Sequence, residues 1–308
     1  MTTNAIQSSH IYSTYFAPRG RSRIYTLGMQ IAQLYLSPFD QIIGFIGEAG
    51  SGKSVLIKGM FPGIELTNDD DGVNVRPLPL LEQEYETGFF TPHTYHLDIR
   101  FETGFHQLSE LADAVRLAVR RGKRIIIEHF DLIYPLLGVN ANLLIGVGEQ
   151  IVITRPNLFG PLPQELCDIV YPSLAYRLMA HSAEDLCEYA MTQEQMLACS
   201  HGDIRHGFVL EFNEHQPDID IPTLEARVNE LIRQDLPIDY YDESHILLGG
   251  VQHYCTGPRT HVRSTGRIIG FRLLDHFIYD HFHKTYMLVG CVGDDSEENI
   301  RKLETIHG

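Results

Sequence analysis

Positive charge is scarce in this sequence of 308 residues: 24 Lys and Arg stand against 40 Asp and Glu, a formal net charge of -16. That balance disfavours a broad grip on a nucleic-acid backbone, which needs clustered cations, and leaves only local patches for it. Long apolar runs are also missing. None reaches the roughly 18 residues that span a bilayer, and the opening "MTTNAIQSSHIYSTYFAPRG" lacks the basic-then-apolar order of a secretion signal. Membrane attachment is therefore not expected, and the reading is cytoplasmic. Cysteine is sparse as well, with Cys167, Cys187, Cys199, Cys255 and Cys291 scattered and odd in number. That excludes a disulfide framework and leaves a thiol free to ligate a metal. Internal repeats and low-complexity segments are absent.

The basic residues that do occur fall partly in two patches, "RLAVRRGKR" at 116–124 and "GPRTHVRSTGR" at 257–267. The first reads as a solvated helix end, its cations favourably placed near the C-terminal dipole. With 44% hydrophobic and 21% charged residues the composition is that of a globular protein, and the length suits two cores.

In the first half, short β-like runs alternate with helical ones, the pattern of a mostly parallel sheet with helices on both faces. The spacing predicts strands at 41–46, 94–99, 124–129 and 149–154. Amphipathic helices are predicted at 22–37 and at 107–122, the latter carrying Leu108, Leu111, Val115 and Ala118 on one face. Three prolines and a glycine at 154–165 mark a seam. It divides an α/β domain, 1–160, from an α+β domain, 161–308. Beyond it come helical regions at 174–196 and 222–234, the second with Leu224, Val228, Leu231 and Ile232 on one face. β-like runs follow at 208–212, 245–250, 266–274 and 285–293.

The octet "GEAGSGKS" follows the first strand directly: Gly47, Glu48, Ala49, Gly50, Ser51, Gly52, Lys53 and Ser54. It satisfies G-x-x-x-x-G-K-[ST], with the strand before and the helix after that this phosphate-binding motif requires. Backbone N–H groups would cradle the phosphates, Lys53 would reach the β/γ-phosphates and the Ser54 hydroxyl would bind Mg²⁺. ATP or GTP is thus the expected nucleotide. A carboxylate is needed beside the magnesium, and "RIIIEHFD" offers Glu128 and Asp131 after three isoleucines. Glu128, first past the apolar run, is favoured. The β-like run "GIEL" at 63–66 leads into the acidic run Asp69 to Asp71, which reads as a solvated turn or as an acid near the acceptor. Arg76, Arg100 and Arg155 are candidates for touching the transferred phosphate.

Strand, phosphate loop and helix followed by "IIIEHFD" resemble the uridine-kinase-type branch of the P-loop proteins, whose second strand ends in a glutamate. Kinase, ATPase and GTPase remain open.

A second resemblance lies after the seam. "YCTGPRTHVRSTGRIIGFRLL" at 254–274 resembles the C-G-G-T-H-V-x-x-T-G-E-I-G-x-F signature of the second additional domain of alanyl-tRNA synthetases and free-standing alanyl-editing proteins. Upstream, "LEARVNELIRQDLPI" at 224–238 is similar to that family's helix, and "RLMAHSAEDL" at 177–186 to its metal helix. The resemblance implies an editing-type core and a zinc ion held by His181, Asp185, Cys255 and His261. The residue types agree, since residues four apart share a helix face and thiolate, imidazole and carboxylate all ligate zinc. Three departures stand out. Asp185 replaces the second histidine of the helix, five residues separate Cys255 from His261, and Arg267 replaces the glutamate. His201, His206 and His253 are nearby alternatives to Asp185.

Together these readings imply a P-loop NTPase or kinase coupled to an alanyl-editing-like domain that recognises an aminoacyl-tRNA acceptor end, an amino acid or a related small molecule. Two alternatives stand beside it: a zinc-dependent aminoacyl-tRNA deacylase gated by nucleotide, and a nucleotide-switched binding protein without phosphoryl transfer. A homo-oligomer is compatible with each.

Overall fold

The computed structural model describes residues 12–67, 78–82, 93–213 and 215–307. The chain divides into two compact units, Met1–Ala17 with Ser22–Pro172 and Pro18–Arg21 with Ser173–Gly308. The boundary at Pro172 lies later in the chain than the proline-rich segment 154–165, and Pro18–Arg21, the three residues before the first helix and its first residue, belong to the second unit. Proline explains the displaced boundary: Pro163 opens a helix of 28 residues, Pro163–Ala190, where its missing N–H costs nothing. The segment that reads as a linker is therefore a helix start.

The first unit begins with strand β1 (Ser13–Phe16), helix α1 (Arg21–Tyr35), β2 (Ile42–Ile46) and α2 (Lys53–Met60). Short helix α3 (Pro79–Glu82), β3 (Thr94–Asp98), α4 (Ile99–Glu102) and α5 (Leu108–Arg120) follow. Then come β4 (Arg124–Glu128), α6 (Phe130–Leu137), β5 (Leu143–Val147), β6 (Gln150–Thr154) and the start of α7 (Pro163–Ala190). The six strands form one mixed sheet in the order β1-β6-β5-β2-β4-β3. From β3 to β5 neighbours are parallel, whereas β6 is antiparallel to β5 and β1 antiparallel to β6. The strand expected at 149–154 therefore does not extend the parallel set. Only Gly148 and Glu149 separate it from β5, and a parallel crossover needs a dozen residues or more. The run "GIEL" forms no strand.

Alternation along the strands separates two cores. Ile43, Phe45, Ile126, Leu143 and Ile145 meet Ile24, Leu27 and Ile31 of α1 and Leu56 and Ile57 of α2. Ile42, Ile46, Ile125, Ile127 and Leu144 meet Leu111 and Val115 of α5, Phe130 and Ile133 of α6, and Leu166 and Val170 of α7. Helices thus cover both faces, and the parallel strands deliver their C-terminal ends to the glycine-rich loop.

The second unit continues with α8 (Gln193–Ala198), β7 (Cys199–Ile204), β8 (Gly207–Asn213), α9 (Ile221–Arg233), β9 (Ile238–Asp242), β10 (His245–Leu248) and β11 (Val251–Tyr254). It closes with β12 (Arg272–Leu273), β13 (Ile278–Asp280), β14 (Thr285–Cys291) and α10 (Ser296–His307). All pairings are antiparallel, in a three-stranded sheet β11-β10-β9 and a five-stranded one ordered β12-β14-β8-β7 with β13 on β14. The β-like run at 266–274 is mostly not strand. A 3₁₀ turn occupies Thr265–Arg267, and Gly270 has φ +63° with its backbone pressed against the Gly293 carbonyl, so only Arg272–Leu273 pairs.

Within α7 the eight residues from His181 to Glu188 are buried on every side. Four of them are ionisable acids or imidazoles, and buried charges persist only when paired. Among the described residues no helix is long and apolar enough to cross a membrane.

Candidate functional site

In the first unit the glycine-rich loop joins β2 to α2. Gly50 and Gly52 adopt φ of 78° and 90°, and a Cβ on Gly47 would lie 2.5 Å from the Val147 carbonyl oxygen. The loop is therefore shaped by glycine and pressed on the end of β5. Lys53 is buried, and its Nζ donates to the carbonyls of Gly47 and Glu48, each at 2.9 Å. Nζ also lies 3.7 Å from Glu128 Oε2, while the Ser54 hydroxyl donates to Glu128 Oε1 at 3.4 Å. Three residues of the sequence reading, Lys53, Ser54 and Glu128, thus meet at the ends of neighbouring parallel strands. Asp131 does not join them. It lies in the first turn of α6 and accepts from the Tyr171 hydroxyl at 3.4 Å.

Two residues outside the sequence reading complete this network. His96 Nδ1 accepts from the Thr67 backbone N–H at 3.1 Å, which leaves the proton on Nε2 to donate to Glu128 Oε1 at 3.1 Å. Burial pushes the Glu128 carboxyl up, but the His96 hydrogen bond and the Lys53 charge outweigh it and hold the group below its usual range. Burial lowers the Lys53 pKa against the opposing pull of Glu128 and Asp98. The signal in the sequence was a histidine inside the apolar strand "TYHLD". Thr67 and His96 also line a cavity of about 620 Å³ walled by Phe61, Ile64, Leu80 and Tyr95.

The arginine candidates separate. Arg100 pairs with Glu48 of the loop at 3.0 Å. Arg155 instead pairs with both oxygens of Asp40 at 2.8 Å, at the opposite end of β2. A five-residue strand is about 17 Å long, so Arg155 is out of reach of the phosphates. Asp69 to Asp71 and Arg76 lie outside the described residues. Of the basic patches, Arg116 pairs with Asp113, Arg124 donates to the Asp40 and Ser37 carbonyls, and Arg259 lies over the Tyr240 ring.

The second unit holds a buried polar cluster around α7. Asp185 Oδ2 lies 2.6 Å from His261 Nε2, and Cys255 Sγ lies 3.7 Å from the same nitrogen. Donor atoms of Asp185, Cys255 and His261 all fall within 4.8 Å of one another. His261 Nδ1 faces the Pro258 carbonyl at 3.3 Å, an arrangement that aims the Nε2 lone pair at the other two. Burial and the Arg19 charge press His261 down to about 3, so its imidazole is neutral. His181, the fourth expected ligand, faces Asp203 at 4.0 Å and is not part of the trio. His206 stacks on Tyr176 and pairs with Asp295 at 2.9 Å.

Arg19 enters this cluster from the opposite end of the chain. Its guanidinium pairs with Glu184 and Asp185 and lies 3.3 Å from Cys255 Sγ. His201 bridges Glu184 and Glu188 at 2.9 and 3.1 Å. Burial works to lower the His201 pKa, but these carboxylates raise it. Burial likewise favours losing the charge on Arg19, and Glu184 reverses that. Neither Arg19 nor Glu184 carried a signal at sequence level, because 165 residues separate them.

No family model and no curated protein matches the chain. Among solved structures it aligns with an amino transferase from Eubacterium rectale at 13% identity, over 73% of this chain and 66% of that one, with a TM-score of 0.23. It also aligns with MppP soaked with the product 2-ketoarginine, at 10% identity over 97% and 83% of the two chains, TM-score 0.24. Scores this low do not show a shared fold.

Proposed function

We propose that the protein is an ATP- or GTP-binding P-loop NTPase or kinase whose second unit is an alanyl-editing-like, zinc-binding domain recognising an aminoacyl-tRNA end, an amino acid or a related small molecule. The convergence of Lys53, Ser54 and Glu128 at the ends of the parallel strands carries this reading. Backbone N–H groups of residues 47–54 hold the phosphates, and Lys53 exchanges its carbonyl partners for a phosphate oxygen. Ser54 and Glu128 are the groups that would hold Mg²⁺, Glu128 being kept ionised by His96 and Lys53. Arg100, tied to Glu48 of the loop, is the arginine we assign to a terminal phosphate. We place the protein in the cytoplasm, in keeping with five free thiols.

In the second unit Asp185, Cys255 and His261 fit a zinc ion in number, chemistry and spacing. The chemistry such an ion supplies is polarisation of an ester carbonyl or activation of a water. Arg19 then anchors Asp185, and the Pro258 carbonyl fixes the His261 tautomer. This buried donor set also favours a second reading, a deacylase gated by nucleotide.

The deciding experiment incubates the protein with γ-labelled nucleotide and a panel of nucleosides, amino acids and aminoacyl-tRNA. Label on an acceptor identifies a kinase, and free phosphate an NTPase. Nucleotide-dependent release of the amino acid without loss of label supports the gated deacylase. Lys53→Ala should abolish nucleotide binding, and turnover that persists unchanged in that variant defeats the P-loop reading.

A further inference from the structure

Asp185 is shared by two sets of donors. Beside the trio with Cys255 and His261, Asp185, Glu188 and His253 also bring their ligand atoms within 4.8 Å of one another. The backbone explains the coincidence. Asp185 and Glu188 are three apart on α7 and share a face. His253 and Cys255 are two apart in extended chain and point the same way. The burial pattern agrees, with 253 and 255 buried and 252 and 254 exposed. Strand β11 and the residue that follows it therefore contribute one ligand to each set, and Asp185 belongs to both.

His253 supplies an independent observation. Its side chain is nine-tenths buried, and Nε2 has no hydrogen-bond partner although it points at Glu188 Oε2 from 3.9 Å. A buried imidazole nitrogen without a partner is costly, and one facing the Glu188 carboxylate, with Asp185 in the same donor set, is arranged for a cation. Three buried carboxylates, Glu184, Asp185 and Glu188, are gathered here along one helix, beside Arg19 and His201.

We propose that Asp185, Glu188 and His253 form a second metal position, giving the second unit a two-metal centre bridged by the Asp185 carboxylate. Two carboxylates and an imidazole suit a divalent transition ion such as zinc or manganese, and the thiolate of the other position favours zinc. Two ions sharing a carboxylate hold one hydroxide between them, the arrangement that hydrolases use to attack an ester. Arg19 and Glu184 flank the centre as an ion pair.

The inference rests on the zinc reading of Cys255 and His261, and metal counting separates the two. Protein stripped by chelator, loaded with zinc alone and desalted should carry two ions per chain by elemental analysis. Glu188→Gln/His253→Ala and Cys255→Ser/His261→Ala should each carry one. Cobalt(II) loading should give a thiolate charge-transfer band in the first variant and none in the second. One ion in the unaltered protein, lost in Cys255→Ser/His261→Ala, overturns the second position and leaves the zinc reading standing. No ion at all overturns both, and two ions retained in Glu188→Gln/His253→Ala overturn the assignment of the ligands. The count on the unaltered protein decides the matter even where a variant fails to fold.

Discussion

A buried charge is a commitment at the level of one residue, since an isolated ion taken out of water costs several kcal/mol. Glu128 meets that cost with three partners: His96 at 3.1 Å, Ser54 at 3.4 Å and Lys53 at 3.7 Å. Glu128→Gln keeps the shape and removes the charge. We expect nucleotide binding without magnesium to change little, while magnesium affinity of the nucleotide complex falls at least about 10-fold, since even a group that only supports a metal ligand costs about 10–100-fold when lost. Calorimetric titration of nucleotide with and without magnesium measures both. Equal loss under the two conditions would show Glu128 to be structural only. Lys53, Ser54 and Glu128 were readable in the sequence because a local motif and a strand end fix them. His96, Thr67 and Arg19 were not, since no spacing rule links residues that only the tertiary fold brings together.

Elements in the first unit are placed by close contacts that only glycine permits. A Cβ on Gly59 of α2 would stand 2.2 Å from the Tyr25 carbonyl oxygen of α1, and one on Gly28 of α1 would stand 2.5 Å from that of Leu56. The two helices therefore pack backbone to backbone directly behind the phosphate loop. Gly59→Ala should destabilise the protein by about 1–3 kcal/mol, the cost of overpacking less the gain in helix propensity. Urea unfolding is the measurement, and an unchanged midpoint would show that the helices separate freely. Position and type were legible for the strands at 42–46, 94–98 and 124–128, whose apolar runs are bounded by turn residues. Direction was not. Strand β6 runs antiparallel because a two-residue turn precedes it, and β5 carries no alternating signal because "LLIGV" is short and buried on both faces. Resemblance alone placed His181 in the zinc set; the helix face fits, but the side chain faces Asp203.

Across the whole molecule, thiols in both units share one physical property. Burial pushes Cys167 in the first unit up to about 11, with a further push from Asp131, and does the same to Cys291 in the second, aided by Asp295. An unfolded thiol titrates near 8.5. Between about 8.5 and 11 the unfolded chain has therefore lost a proton at each site that the folded chain retains. Stability must fall as pH rises through that window and be unaffected by these groups below it. Denaturation followed separately for each unit, at pH 7.5 and pH 10, should show both transitions moving to lower denaturant at the higher pH. Other groups titrate there too, so the diagnostic quantity is the difference between proteins. Cys291→Ala should reduce the pH dependence of the second unit's transition and leave that of the first unchanged, and Cys167→Ala the reverse. Because the two thiols lie in different cores, the effects should add in the double variant. A shift in both transitions from either single substitution would mean that the units unfold as one body.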